Sequence, residues 1–267
     1  MKALAFFAFV GCCLVSISAF AQTPKEIEVD LLKSFKRIDY WSYKSKDDTT
    51  SNGGFEDSLE KSNEIFANKI KVYTVKYPFT ISQPFNSLKK ERLDIFTSAD
   101  GLFRIYSWET WLGGTMRDFA NVFQYKAGKR TASVYVHTNG SDDQSYTPFY
   151  TNLYTFKLNQ KTYYLGVYGT IYSTKDAGRG IKIFDIEDDK LNQDVKIIKT
   201  ASGLHSKIYY DYDFLSVVNI DFDKRPTIYF DAATQIIHVP LVDGNGTVTH
   251  NFITYKFTGK YFEKVKN

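Results

Sequence analysis

The sequence predicts a mainly β protein, an antiparallel meander preceded by a pair of helices. Three observations carry this reading. The apolar spacing is helical up to about Tyr73 and changes to a period of two after Arg92. Glycine-bearing turn signals recur between the alternating runs. Aromatic residues make up 17% of the chain, with 20 Tyr and 22 Phe, and rings fit a pleated, half-buried surface better than a helix.

The first element is a leader. Met1-Lys2 supplies a minimal basic start, Ala3 to Phe20 is uncharged and mostly apolar, and Ala19-Phe20-Ala21 has the small-x-small form of a signal peptidase site. A membrane anchor would need about 20 apolar residues and no cleavage site. Val10-Gly11-Cys12 is a degenerate lipobox, but the apolar run continues past Cys12, which disfavours a lipoprotein. The chain is therefore expected to be exported, to the periplasm or outside the cell, as residues 22–267. Cys12 and Cys13 are its only cysteines. The mature chain then lacks disulfides, thiolate nucleophiles and cysteine-based zinc sites.

The helices come next. Thr23-Pro24-Lys25-Glu26 combines a capping hydroxyl, a proline at the first helical position and a glutamate three residues on. Ile27, Leu31, Phe35 and Ile38 follow on one face, widened by Leu32. Lys44 to Gly54 reads as a loop. Ser58 to about Tyr73 is a second helix, with Leu59, Ile65, Phe66 and Ile70 as its stripe. Pro78 and Pro84 bound an irregular connection.

Strands fill the rest. Leu93 to Thr97, a turn at Ala99-Asp100-Gly101 and Leu102 to Trp108 form a hairpin. Phe119 to Lys126 and Thr131 to His137 turn at Gly128-Lys129. Phe149 to Leu158 and Thr162 to Tyr172 flank Asn159-Gln160-Lys161. Ser173 to Gly180 reads as a glycine-bearing loop. Further strands are expected at Ile181 to Ile186, Val195 to Lys199, Ile208 to Tyr212, Phe214 to Val218, Thr227 to Phe230 and Gln235 to Leu241, with final turns at Gly244-Asn245-Gly246 and Thr258-Gly259-Lys260. No motif recurs at the roughly 40–50-residue period of propeller blades. A sandwich or curved sheet is accordingly favoured over a propeller. Residues 1–21 are the signal, 22–90 the helical segment and 91–267 the β domain, with the helices and sheet expected to form one unit.

The segment Asp100-Gly101-Leu102-Phe103-Arg104-Ile105-Tyr106-Ser107-Trp108, then Gly113-Gly114-Thr115-Met116, resembles a stretch of uncharacterised exported β-rich proteins of Gram-negative bacteria. The final strands, Tyr255 to Glu263, are similar to the same group. The resemblance implies location and fold; the group carries no established activity.

The composition sets several function classes aside. Lys and Arg number 34 against 30 Asp and Glu, a net charge of +4. A near balance spread along the chain serves solubility and gives no nucleic-acid footprint, which needs clustered cations. No second stretch is apolar enough to span a membrane. His137, His205, His238 and His250 show no ligand spacing. Counting from Asp185, the sixth and twelfth positions of an EF-hand hold Lys190 and Lys196, so Asp185, Glu187, Asp188 and Asp189 fail that test. Asp243 reads as part of a hairpin turn, and Asp142-Asp143 as a solvated loop. Ser58-Leu59-Glu60-Lys61 fits S-x-x-K, but its partner motifs are missing. Neither G-x-S-x-G nor a phosphate-cradling glycine loop occurs. No cofactor and no metal are implied.

Two constellations remain. Asp211 with Asp213, and Asp221 with Asp223, have the i,i+2 spacing that puts carboxylates on one face of a strand, as a hydrolase acting on cell-wall or dietary polymer would need. Trp108-Glu109-Thr110-Trp111 enters a glycine loop, and Trp41 and Tyr43 end the first helix. Tryptophan and tyrosine beside a polar loop can stack on a sugar or a protein partner, although at least one of Trp108 and Trp111 is expected in the core. Trp108, Glu109, Trp111, Trp41 and Tyr43 are thus the candidate ligand-binding residues. The sequence favours a non-catalytic envelope or secreted protein that binds a glycan or an envelope protein, over a hydrolase using an acidic pair.

Overall fold

The computed structural model describes residues 22–47, 54–138, 147–158, 160–221 and 224–265. The leader, Asp142-Asp143 and Asp223 lie outside the described residues.

Helix α1 (Pro24–Asp47) opens with the capping box that its sequence predicts. Thr23 Oγ1 accepts from Glu26 N at 3.3 Å, and Thr23 N donates to Glu26 Oε2 at 2.7 Å. Its predicted stripe, Ile27, Leu31, Phe35 and Ile38, is buried. Helix α2 (Gly54–Lys76) starts earlier than its apolar pattern indicates, so Ser58 lies within it and donates to Gly54 O. Leu59, Phe66 and Ile70 are buried, whereas Ile65 is exposed. The helices are tied by Lys69 and Tyr73, whose polar tips meet the Asp30 carboxylate at 2.7 Å each. A 3₁₀ turn (Pro78–Ser82) and the short α3 (Asn86–Lys90) complete the helical part.

Three stacked sheets follow. The first holds β1 (Asp94–Thr97), β2 (Phe103–Glu109), β3 (Phe119–Ala127) and β4 (Arg130–Val136) in chain order. Its hairpin at Gly128-Lys129 has Gly128 at φ +56°, the positive φ that a two-residue turn opening on glycine requires. The second sheet holds β5 (Phe149–Leu158), β6 (Lys161–Ile171), β7 (Asp176–Glu187) and β11 (Lys207–Asp213), with β8 (Lys190–Asn192) paired to β7. The third takes β9 (Ile198–Thr200), β10 (Gly203–His205), β12 (Tyr229–Asp231), β13 (Ile236–Val242), β14 (Val248–Phe257) and β15 (Phe262–Lys264). Pairing is antiparallel except for β15 on β9.

The period-two alternation explains the stacking. Tyr106 and Trp108 of β2 face the helices, while Phe103 and Ile105 face the second sheet. Ile181 and Ile183 of β7 face the third sheet, and Phe184 faces the first. The order is helices, sheet, sheet, sheet, with a core in each gap. This is the mainly β, antiparallel architecture with N-terminal helices that the sequence predicts. A buried Arg104 links the first two layers: it donates to Thr97 Oγ1 at 2.7 Å and Thr80 O at 2.6 Å.

Two local expectations are corrected. Ser173 to Gly180 is not all loop, because β7 begins at Asp176 and runs through both glycines. Phe214 to Val218 is not a strand: Phe214–Ser216 form a 3₁₀ turn whose start Asp213 caps by accepting from Leu215 N.

Candidate functional site

Between the first and second sheets lies a cleft of about 510 Å³, within the roughly 300–1,000 Å³ of small-ligand sites. Its floor is the face of β6, β7 and β11 that looks toward the first sheet. Register sets Tyr168 and Tyr209 on either side of Gly180. One row along, Thr170 and Asp211 flank Gly178, and in the other direction Gly166 and Lys207 flank Lys182. The glycines are required here. A Cβ at Gly180 would come within 2.6 Å of the Tyr168 ring and 2.7 Å of Ile208 O, and one at Gly178 within 2.5 Å of Thr170 Oγ1. Each glycine lets a neighbouring side chain lie flat across the strand.

The far wall is Asn121 and Phe123 of β3, Val136 of β4, Pro148, and Tyr150 of β5. Asn121 is 0% exposed. Its Nδ2 donates to Pro148 O at 2.8 Å, but its Oδ1 has no partner. Leaving such an acceptor dry costs about 1–3 kcal/mol. Tyr172, Arg179, Gln193 and the half-exposed Tyr209 complete the lining, and the Asp211 carboxylate stands at its edge, over Gly178 and beside Tyr172.

The electrostatics follow from burial. Desolvation, with Tyr172 adding, raises the Tyr168 phenol well above the ordinary range, and Tyr150 likewise. Both stay protonated and serve as apolar faces carrying a neutral hydroxyl. Desolvation also lowers the Lys182 amine below its usual value, with the charge of Lys207 adding to the effect and that of Asp194 opposing it. The cleft can stack flat rings, accept from a hydroxyl and attract negative charge.

The residues singled out in the sequence lie elsewhere. Trp108 is 1% exposed. Its Nε1 donates to Asn63 Oδ1 at 3.1 Å, and its ring meets Phe66 edge-on at 5.0 Å. As a ligand contact it is corrected: neither face reaches solvent. Glu109 forms an ion pair with Arg117 at 3.5 Å. Trp111, at φ +65°, is half-buried against the helical core. Trp41 is half-buried too, with Tyr40 edge-on at 5.1 Å, while Tyr43 is 73% exposed. The loop after Trp111 does border a second cleft, of about 720 Å³, through Leu112, Gly113 and Met116. Glu56, Asp57, Glu60 and Glu64 of α2 line its other side. There His137 Nε2 meets Asp118 at 2.7 Å, and Asp118 also accepts from Thr110 Oγ1. Those polar groups satisfy one another, unlike Asn121.

The acidic candidates separate. Asp211 borders Tyr172 and Gly178. Asp213 is engaged by Leu215 N and by Lys175 at 3.5 Å. Asp221 pairs with Lys224 at the surface. Asp185 is buried against Lys161 at 2.8 Å, while Asp188 and Asp189 form a tight turn. Asp243 accepts from Asn245 N and Thr247 N, which accounts for it as a turn residue. Among the described residues no group of three His, Cys, Asp or Glu is placed to hold a metal, and no helix is long and apolar enough to cross a membrane.

Sequence reasoning missed Tyr150, Tyr168, Tyr172, Tyr209, Lys182, Lys207 and Asn121. The signal for them was Gly178-Arg179-Gly180 beside an alternating run, since glycine inside a strand marks a close approach. No family model, curated protein or solved structure matches the chain.

Proposed function

We propose that the chain is an exported, non-catalytic binding protein that takes a saccharide into the tyrosine-lined cleft. The observation that carries this reading is the pairing of tyrosine faces with an unpartnered, fully buried Asn121 Oδ1 in one cleft. Sugar rings offer apolar faces for stacking and hydroxyls for donation, which is the complement of that lining. The signal-like leader supports export, and the resemblance to exported β-rich proteins agrees with it.

A thermal-shift screen of the purified chain against a glycan panel tests the reading. A ligand selective for the folded state raises the melting midpoint by mass action. The shift should disappear in Tyr209→Ala, whose exposed ring contributes little to the core. A panel without a single shift, or a shift that survives Tyr209→Ala undiminished, refutes binding in this cleft.

A further inference from the structure

The floor of the cleft carries an unusual pair. Lys182 of β7 and Lys207 of β11 are direct cross-strand partners on the face turned toward the first sheet. Like charges in that relation repel, and a sheet gains nothing by placing them so. Among the described residues neither amine forms an ion pair with a carboxylate. Lys182 instead lies 5.3 Å from the centre of the Phe184 ring and Lys207 5.5 Å from that of Tyr209. Arg179 borders the cleft from the intervening position of β7, but it alternates with Ile181 to the opposite face, where its charge acts on Tyr210, so it adds no cation between the two lysines. The Asp194 charge acts on Lys182, and Asp211 lies over Gly178 beside Tyr172, but neither carboxylate is within ion-pairing distance of the two amines.

We infer that the saccharide is acidic, with a carboxylate or sulfate seated between Lys182 and Lys207. This rests on the saccharide reading and narrows it. The two requirements come from different atoms. An anion placed between the amines turns their repulsion into a shared attraction. The buried Asn121 Oδ1 requires a donor, which an anion cannot supply and a sugar hydroxyl can. A ligand that answers both carries hydroxyls and a negative charge on one ring system, with its apolar face for Tyr168 and Tyr209. A plain inorganic anion leaves Asn121 unanswered, and a neutral sugar leaves the lysines opposed.

The test is a calorimetric titration of the purified chain with three trisaccharides: a uronic-acid trisaccharide, its carboxyl-reduced neutral counterpart, and a sulfated one. Inorganic sulfate is the fourth titrant. An acidic trisaccharide should bind at least about tenfold more tightly than the neutral one, and the margin should shrink as salt is raised. Whichever acid binds better identifies the anion. Lys207→Gln, at an exposed position that folding tolerates, should lose most of the margin, and Lys182→Gln all of it. Lys199→Gln, on the third sheet, should keep it. Equal affinity for acidic and neutral trisaccharides overturns this inference and leaves the saccharide reading standing. Binding of neither overturns both. A margin that survives both cleft variants, or falls equally in Lys199→Gln, overturns the assignment to these lysines, and inorganic sulfate binding as tightly as the acidic sugar overturns the requirement for a saccharide.

Discussion

Replacing Asn63 with leucine tests whether Trp108 belongs to the core. Asn63 is buried in α2, accepts from Trp108 Nε1 at 3.1 Å, and donates to Leu59 O and Thr110 O at 3.0 Å each. Leucine is similar in size but makes none of these bonds. The indole N–H is left without a partner at a site that is 1% exposed, at about 1–3 kcal/mol, and the lost bond to Thr110 adds about 1 kcal/mol. The variant should lose roughly 2–4 kcal/mol, a drop of about 5–15 °C in the melting midpoint for a chain of this size. Urea unfolding followed by far-ultraviolet circular dichroism measures it without relying on tryptophan emission. Trp108→Phe removes the orphaned donor, so Asn63→Leu should cost about 1–2 kcal/mol less in that background. Saccharide binding at 25 °C should be unchanged, because Trp108 faces the helices and not the tyrosine cleft. A cost under about 0.5 kcal/mol, or the same cost in both backgrounds, refutes the account of Trp108 as a hydrogen-bonded core anchor.

Other expectations test other layers. Gly180→Ala sets a Cβ 2.7 Å from Ile208 O, a backbone atom that cannot step aside, so stability should fall by about 1–3 kcal/mol. The displaced Tyr168 ring should also weaken saccharide binding, and calorimetry with unchanged affinity would show that the ring is not part of the site. Lys161→Met leaves the Asp185 carboxylate, 1% exposed, without its cation, and a denaturant melt should register a loss of about 3 kcal/mol. His238 stacks on Tyr229 at 4.4 Å, and desolvation lowers its pKa from 6.5, with the Asp231 charge opposing the shift. Below its unfolded value the unfolded chain binds the extra proton, so stability should fall as pH drops from about 6.5 toward the lowered folded value. Melts of wild type and His238→Phe across that window should diverge on the acid side, and parallel curves would discount the histidine.

Helices were legible because their signals are local. The capping box at Thr23 and Glu26 and the stripe from Ile27 to Ile38 are complete within a few turns, and the hairpin at Gly128 needs only its own dipeptide. The cleft was not legible for the opposite reason. Tyr168, Gly180 and Tyr209 form one row only after three strands are in register, and no spacing along the chain reveals that. Gly178 and Gly180 looked like loop residues because a strand rarely tolerates glycine, and what makes them acceptable is side chains from the flanking strands, Tyr168 over Gly180 and Thr170 with Asp211 over Gly178. Trp108 and Trp111 misled in the converse way: their flanking glycines mark a turn, yet the indole of Trp108 points back under α2. Glu109 meets Arg117 across the turn between β2 and β3.

The middle sheet shows why a cleft exists at all. A sheet covered on both faces should be apolar on both, and β7 meets this with Ile181 and Ile183 on the side of the third sheet. On the other side Ile186 and Phe184 are apolar, but Lys182, Gly180 and Gly178 follow at the same spacing. The facing strand changes likewise, from Tyr125 and Phe123 to Asn121. The dry contact between the sheets therefore runs out at Phe184, and the sheets part where side chains stop filling the gap. If Lys182 were only tolerated there, replacing it would do nothing useful. Lys182→Leu instead extends the apolar series by one position, removes a desolvated amine and ends its repulsion with Lys207. Stability should rise by about 1–2 kcal/mol, read as a higher denaturant midpoint, while the preference for an acidic saccharide disappears. A gain in stability at the expense of binding marks a residue kept for its ligand. A variant that is less stable than wild type would mean that Lys182 supports the sheet, and the cleft would then have to be explained as packing.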